Sequence, residues 1–179
     1  TSSNSLSVTA DEVFLFRPST AGDYSSGSFT MVLDNFGSIH GGGDTWAIAL
    51  VEQNTTIGDY TVSAGSFLFS RQGGAEHGDI RLFTPTGVGA GTTSGTVQKL
   101  VEGSDSGVGI STKIYGLELV ETAITVGGVN LAAGTILMTL DAADTVGFRL
   151  LRASPPNIQA GLWRVGRSEA HTSELQSQF

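Results

Sequence analysis

The sequence predicts an all-β protein built from antiparallel four-stranded repeats. Three observations support this prediction. The chain repeats itself at a period of about 68 residues, apolar residues alternate with period two through most of it, and no segment of ten or more residues carries a helical apolar stripe. β-branched and aromatic residues dominate the alternating segments, and the 25 glycines supply turns between them.

The repeat is visible when the chain is aligned with itself. Residues 46–71 match residues 115–140 at a constant offset of 69, and residues 13–34 match residues 80–102 with one inserted residue. A third copy starts at residue 148 and runs to residue 165. We therefore divide the chain into a lead-in (1–11), two repeats (12–78 and 79–146), a truncated third repeat (147–165) and a tail (166–179).

Each complete repeat is expected to hold four strands and one short ribbon. The first repeat has predicted strands at Val13–Arg17, Ser28–Leu33, Thr45–Glu52 and Ser66–Ser70, with a ribbon at Thr56–Val62. The second has them at Ile80–Thr84, Thr96–Glu102, Ile114–Glu121 and Thr135–Leu140, with a ribbon at Thr125–Leu131. Gly127-Gly128 predicts a type I′ hairpin turn, because glycine adopts positive φ at both central positions, and Gly58-Asp59 is its counterpart.

A four-stranded repeat of this length indicates blades like those of a β-propeller. The neighbours of a blade cover both of its faces, which suits strands that are apolar on both faces, such as Val13–Phe16 and Phe67–Phe69. The alternatives are a row of small β-sandwich modules, for which the repeat is short, and a solenoid, whose period is normally shorter.

Three segments resemble tandem repeats of large secreted bacterial surface proteins: Asp79–Thr86, Thr93–Val97 and Glu102–Gly109. The resemblance spans residues 11 to 165 and rests on turns and core positions. It implies an extracellular, propeller-like array whose usual neighbours are cadherin-like and calcium-binding modules. The first repeat departs from the pattern at Asp34–His40.

The tail resembles something other than protein-coding sequence. Residues 167–177 read like an in-frame translation of a common sequencing adapter, and they differ from it only at Ala170. We therefore exclude residues 166–179, including His171, from functional interpretation. The gene is expected to derive from bulk environmental DNA, and the natural protein is expected to continue past residue 165.

Composition excludes several classes of partner. A net charge of −8 with nine unclustered basic residues disfavours nucleic acids and anionic membrane surfaces. The chain has no cysteine, which excludes disulfides, thiolate metal sites and a thiol nucleophile. The chain has no run of about 18 apolar residues, so membrane insertion is not predicted. An acidic, cysteine-free chain rich in Gly, Ser and Thr is typical of extracellular or cell-surface bacterial repeat proteins.

A single active site in a repeat protein must break the repeat. The residues that do so are His40, Asp44, Trp46, Arg71, Glu76 and His77. The candidate catalytic residues are His40, Asp44 and His77; Ser38 with His40 and Asp44 would supply the three roles of a Ser–His–acid set. Trp46 opens a strand, either as a core residue or as an exposed platform for sugar stacking.

The recurring carboxylates suggest a metal site or simple solvation of strand ends. Glu52 and Glu121 occupy the same repeat position, and in a propeller such residues would line the axis. Together with Glu102 and Asp105 they are the candidate ligands for Ca²⁺, which prefers oxygen ligands.

We expect a non-enzymatic extracellular module with a structural, adhesive or glycan-binding role. The alternative is a Ca²⁺-dependent hydrolase of the propeller kind, acting on an ester, lactone or phosphotriester. Because two and a half blades cannot close a propeller of typically four to eight, we also expect a homo-oligomer formed by strand pairing or blade packing.

Overall fold

The computed structural model describes residues 6–73, 76–105 and 108–141. Within these ranges lie twelve strands and one short helix: β1 (Val13–Thr20), β2 (Asp23–Leu33), α1 (Phe36–His40), β3 (Thr45–Leu50), β4 (Thr55–Ile57), β5 (Tyr60–Val62), β6 (Phe67–Arg71), β7 (Ile80–Gly87), β8 (Ser94–Val101), β9 (Ile114–Val120), β10 (Ile124–Val126), β11 (Val129–Leu131) and β12 (Thr135–Leu140). All pairings between these strands are antiparallel, which confirms the all-β prediction. The predicted third repeat (147–165) and tail (166–179) lie outside the described residues.

The strands occur where the alternating pattern predicts them, including both ribbons, β4–β5 and β10–β11. The turn between β10 and β11 has φ of +57° at Gly127 and +85° at Gly128, as a type I′ turn requires. In the β4–β5 turn Gly58 has a φ of +59° while Asp59 does not have positive φ, which fits the first central position of a type II′ turn.

A phenylalanine and a glycine recur together in the two long hairpins. The ring of Phe16 lies over Gly27, and the ring of Phe83 lies over Gly95. A Cβ at either glycine would overlap this ring and a backbone carbonyl of the paired strand. The repeated glycines are therefore needed for close approach of chain and ring, a packing known to support glycine within strands.

The largest sheet crosses the boundary between the two repeats. Its order is β3-β6-β7-β8, so the last two main strands of the first repeat pair with the first two of the second. At the junction Phe67 pairs with Phe83, Leu68 with Leu82, and Phe69 with Arg81. The expectation of one sheet per repeat differs from this result, because strand pairing and sequence repeat are out of phase by two strands.

Both faces of this sheet are buried. On one face, Leu68 and Leu82 pack in a core that includes Leu119 and Ile136 of the β9–β12 pair. On the other face, phenylalanines of β6 and β7 pack around Phe36 of α1 and Leu33 of β2. The alternation of a strand sends successive side chains to opposite faces, so β6 supplies both cores. The sheet is thus a middle layer between two neighbours, as the doubly apolar strands predict.

Helix α1 was not predicted, because five residues are too few to show a helical apolar period. The backbone N–H of Gly37 donates to the Asp11 carboxylate at 2.8 Å, and Gly41 ends the helix with a φ of +93°. The helix holds Phe36, which is fully buried, against Phe69 and Phe83 with ring centroids about 5 Å apart. Among the described residues no helix is long and apolar enough to cross a membrane.

Candidate functional site

The residues that break the repeat lie near one another. Arg71 ends β6, and Glu76 and His77 lie between β6 and β7. These residues reach the loop after α1 and the start of β3. Arg71 donates to the backbone carbonyls of Gly41 and Gly42 at 3.3 and 3.1 Å, and His77 stacks on Trp46. The backbone carbonyl of Asp44 accepts the N–H of Gln72 at 2.7 Å. We call this region the junction site.

A network of three basic and three acidic side chains forms one side of the junction site. Glu76 Oε2 accepts from Arg71 Nη2 at 2.7 Å and from Arg81 Nη2 at 2.6 Å. Lys99 Nζ lies 3.0 Å from Asp79 Oδ2 and 3.1 Å from Glu102. Each cation therefore has a carboxylate partner, and the network is neutral as a whole.

Asp79 anchors the network, since it is buried and also accepts the N–H of Gly103 through Oδ1 at 3.0 Å. Burial opposes ionisation of Glu76, but the hydrogen bond from Arg71 and the nearby basic charges outweigh it and lower its pKa. Burial likewise disfavours charged Lys99, yet its hydrogen bonds to Asp79 and Glu102 outweigh burial and raise its pKa. Breaking one partner of such a network leaves a poorly solvated charge behind. This arrangement fixes the junction of β6, β7 and β8.

His40 is a buried core residue. Its ring packs against Phe36 and Phe69, with centroids 4.8 and 5.3 Å away, and its Nε2 lies 3.3 Å from Thr45 Oγ1. Nδ1 is buried without a hydrogen-bond partner. Burial and the charge of Arg71 lower the pKa of His40 below 6.5. The imidazole is therefore held neutral in an aromatic setting.

The structure does not bring the predicted hydrolase residues into one hydrogen-bonded set. Ser38 Oγ donates to Asn35 at 2.7 Å, whereas the ring of His40 faces Thr45. His77 is committed to its stacking contact with Trp46. A Ser–His–acid arrangement requires the serine to bond to the histidine, whereas Ser38 bonds to Asn35 and His40 to Thr45.

An aromatic surface forms the other side of the junction site. The ring of Trp46 stacks on His77 at 5.7 Å, meets Tyr115 edge-on at 5.8 Å, and lies under Lys113 Nζ at 5.2 Å. We call these four residues the aromatic ledge. Trp46 is half-buried and Tyr115 is exposed, so the pair lies at the border of the core and not inside it.

The ledge joins equivalent positions of the two repeats. Trp46 and Tyr115 are separated by the repeat offset of 69 residues and therefore occupy the same position in successive repeats. Their contact shows that this position of one repeat lies beside the same position of the next. A cavity of about 210 Å³ lies beside Trp46, lined also by Glu12, Val13, Phe14 and residues 45–48. Sequence analysis identified both aromatic residues as equivalent; what it missed was Lys113, which no pattern marks.

The candidate calcium ligands have separate surroundings. The Glu121 carboxylate accepts the backbone N–H groups of Glu52 at 2.6 Å and Gln53 at 2.8 Å, and Glu102 pairs with Lys99. Asp105 lies in the turn before Val108, whose N–H donates to its backbone carbonyl at 2.8 Å. Across residues 6–73, 76–105 and 108–141, no group of three or more His, Cys, Asp or Glu residues is arranged to hold a metal ion.

No family model, no curated protein and no solved structure matches this chain.

Proposed function

We propose that the chain is a structural or adhesive repeat module of an extracellular bacterial surface protein. The observation that carries this proposal is the use made of the repeated polar residues. Glu121, whose equivalent in the first repeat is Glu52, accepts backbone N–H groups just after β3, the first-repeat equivalent of its own strand β9. Gln53 Nε2 donates to the hydroxyl of Thr122, its equivalent in the second repeat, at 2.8 Å. The repeated side chains therefore join one repeat to the next.

The junction site supports the same role. Its charged groups neutralise one another, and its histidines are held in aromatic contacts, so the residues that break the repeat stabilise a boundary between repeats. Composition is compatible with this role, since a chain without cysteine has no thiol to be oxidised outside the cell. The resemblance to secreted bacterial repeats points the same way.

The finer architecture belongs to the proposal as well. A four-stranded antiparallel sheet covered on both faces by neighbouring strands, with β3 and β9 of successive repeats in contact, is what adjacent propeller blades would show. We propose that further repeats continue this stacking as blades.

The aromatic ledge gives the module an affinity for sugars. Half-exposed rings with a nearby cation offer an apolar surface with a polar group, which is how small-molecule sites are usually built. Because Trp46 and Tyr115 recur at one repeat position, longer arrays would present a row of such rings. A net charge of −8 favours neutral or amino sugars over acidic ones.

Binding can be measured on an array of neutral and amino-sugar oligosaccharides, followed by titration of a positive oligosaccharide. The chain has two tryptophans, so a Trp163→Phe background leaves Trp46 as the fluorescent reporter. Isothermal titration calorimetry, which needs no fluorescent group, compares this background with Trp46→Ala. We expect Trp46→Ala to weaken binding about tenfold or more, which corresponds to roughly 1.4 kcal/mol.

Tyr24→Ala is the matched control, because Tyr24 is a highly exposed aromatic residue on β2 that is not part of the ledge. It should bind as the unsubstituted chain does. Equal loss in both variants, or no binding to any oligosaccharide, would remove the glycan part of the proposal while leaving the structural part to the assembly experiment below.

A further inference from the structure

Equivalent positions of the two repeats differ sharply in exposure at the N-terminal end of the stack. Leu15 is 42% exposed, whereas its equivalent Leu82 is 1% exposed. Leu50 is 50% exposed, whereas its equivalent Leu119 is 4% exposed. Leu82 and Leu119 are buried together in the core between the two repeats. The first repeat thus carries the same apolar surface without the neighbour that covers it in the second. We call the surface around Leu15 and Leu50 the front face.

The opposite difference occurs at the C-terminal end. In the ribbon β4–β5, Ile57 is 1% exposed because the second repeat packs on it, whereas its equivalent Val126 in β10–β11 is 56% exposed. Ile124 and Val129 of the same ribbon are also exposed. We call the surface formed by Ile124, Val126 and Val129 the rear face.

Two equivalent glycines show the same asymmetry. A Cβ at Gly134 would overlap the carbonyl oxygen of Thr56 in the first repeat, so only glycine permits this approach. Gly65, at the same repeat position and with a nearly identical φ, faces open space. Gly65 therefore has the shape needed to approach another ribbon.

The strand edges complete the comparison. Among the described strands β1 pairs only with β2, and β12 pairs only with β9. Their equivalents β7 and β6 are paired with each other inside the four-stranded sheet. Transferring that register gives pairs of Phe16 with Ile136, Leu15 with Leu137, and Phe14 with Met138.

We propose that the front face of one molecule docks on the rear face of a second copy, with β1 of the first paired to β12 of the second. The resulting sheet, β9-β12-β1-β2, reproduces the β3-β6-β7-β8 sheet within the chain. The Glu52 carboxylate would accept the N–H groups of Glu121 and Thr122 of the second copy, as Glu121 does for Glu52 and Gln53 within the chain. This inference rests on the structural role proposed above.

The occupant is a second copy because the chain already contains the interface. Each element that is exposed on one face has a buried equivalent at the internal junction, so the two faces are complementary by construction. An exposed strand edge beside an apolar surface is itself a template for pairing. Such an interface joins two different surfaces, so it generates either a ring or an open filament according to its rotation.

The absence of cysteine makes disulfide trapping a clean test. A Leu15→Cys chain is mixed with a Leu137→Cys chain under mild oxidation, and the products are resolved without reductant. Directly opposed residues in antiparallel strands are close enough for a disulfide. We expect a mixed dimer that neither variant forms alone. A Leu68→Cys/Leu82→Cys chain, which should close within one molecule, calibrates the reaction.

Phe16→Cys mixed with Leu137→Cys is the matched control, because a slip of one residue places the two thiols on opposite faces and should lower the yield about tenfold. Sedimentation of the unsubstituted chain over a range of concentrations provides the second measurement. Discrete oligomers or a concentration-dependent series support the proposal. Leu50→Asp should shift the sedimentation of either kind of assembly toward that of the monomer, whereas Tyr24→Asp should leave it unchanged.

Two results would overturn the inference. One is a folded monomer at every concentration together with a mixed-dimer yield no higher than that of the control pair. The other is efficient closure of a Leu137→Cys/Leu150→Cys chain within one molecule, which would assign the edge of β12 to the chain's own third repeat. Neither result affects the glycan titration, so failure of assembly and failure of sugar binding are distinguishable.

Discussion

The two repeats have similar sequences and different surroundings. Phe83 and Phe16 occupy the same repeat position, but Phe83 is fully buried among phenylalanines whereas Phe16 is only partly covered. Glu121 binds the backbone of the neighbouring repeat, and Glu52 has no such neighbour in the described part of the chain. The difference shows that much of the repeated sequence serves the contact between units. This is the expected behaviour of arrays in which each unit contacts its neighbours in series.

The loops after β2 and β8 differ in sequence as well as in surroundings. In the first repeat α1 places Phe36 between Phe69 and Phe83. In the second, the turn beginning at Gly103 places Val108 and Ile110 in the other core. The same task, covering one face of the middle sheet, is thus performed by an aromatic residue on a helix and by two aliphatic residues in a turn.

The largest expected difference concerns the two equivalent phenylalanines. Phe83→Ala should lower the free energy of unfolding by about 3–5 kcal/mol, because it removes a fully buried ring and leaves a cavity. Phe16→Ala should cost about half as much or less, since the ring is already partly in water. Urea denaturation of both variants measures the difference, and equal losses would show that the two repeats are packed alike.

A smaller difference is expected for the equivalent glycines. Gly65 and Gly134 have φ values of +83° and +84°, so alanine incurs about 1–2 kcal/mol of left-handed backbone strain at either site. Only Gly134→Ala also forces the chain against the Thr56 carbonyl, which should add roughly 1–3 kcal/mol. The measurement is the difference in unfolding free energy at a protein concentration where the chain is monomeric. Identical costs would mean that the ribbons can separate freely.

Much of this fold was predictable because it depends on periodicity. Alternation located the strands, and Gly127-Gly128 identified its own turn. The pairing of β6 with β7 was not predictable, since a sequence repeat fixes the period of an array but not the point at which one sheet ends and the next begins. The backbone-binding role of Glu121 was also hidden, because an acidic residue at a strand end looks the same whether it binds water, metal or N–H groups.

The sequence predicted which residues form the candidate site but not which contacts they make there. His40, Arg71, Glu76 and His77 were identified because they break the repeat, and the structure does place them around one junction. Their chemistry depends on contacts that spacing does not reveal. Lys99 and Arg81, which neutralise the carboxylates, lie on strands where alternation alone identifies them as ordinary surface residues.

The equivalent glutamates should differ by about 1 kcal/mol. Glu121→Ala removes the acceptor of two backbone N–H groups and should destabilise the monomer by that amount, because exposed N–H groups can turn to water. Glu52→Ala should be nearly neutral at the same concentration. Glu121→Gln, which keeps one amide oxygen, is expected between them. A large loss in Glu52→Ala would contradict the comparison unless it disappears on dilution, in which case it reports assembly.

The smallest expected effect is a pH dependence confined to the first repeat. His40 has no histidine equivalent, because the second repeat (79–146) contains no histidine. The pKa of His40 is lowered below 6.5 in the folded chain. As the pH falls below 6.5, the histidine of the unfolded chain therefore takes up a proton before that of the folded chain does. Stability contributed by this site is therefore present above pH 6.5 and declines as the pH falls from 6.5 through the folded-state pKa of His40.

The measurement is the unfolding free energy of the unsubstituted chain and of His40→Leu, both taken at pH 8 and pH 5.5. The difference should move in favour of the leucine variant at the lower pH, since leucine removes the proton uptake and the unpartnered Nδ1 together. A difference that is independent of pH would show that the imidazole reaches water or an acidic partner in the folded chain.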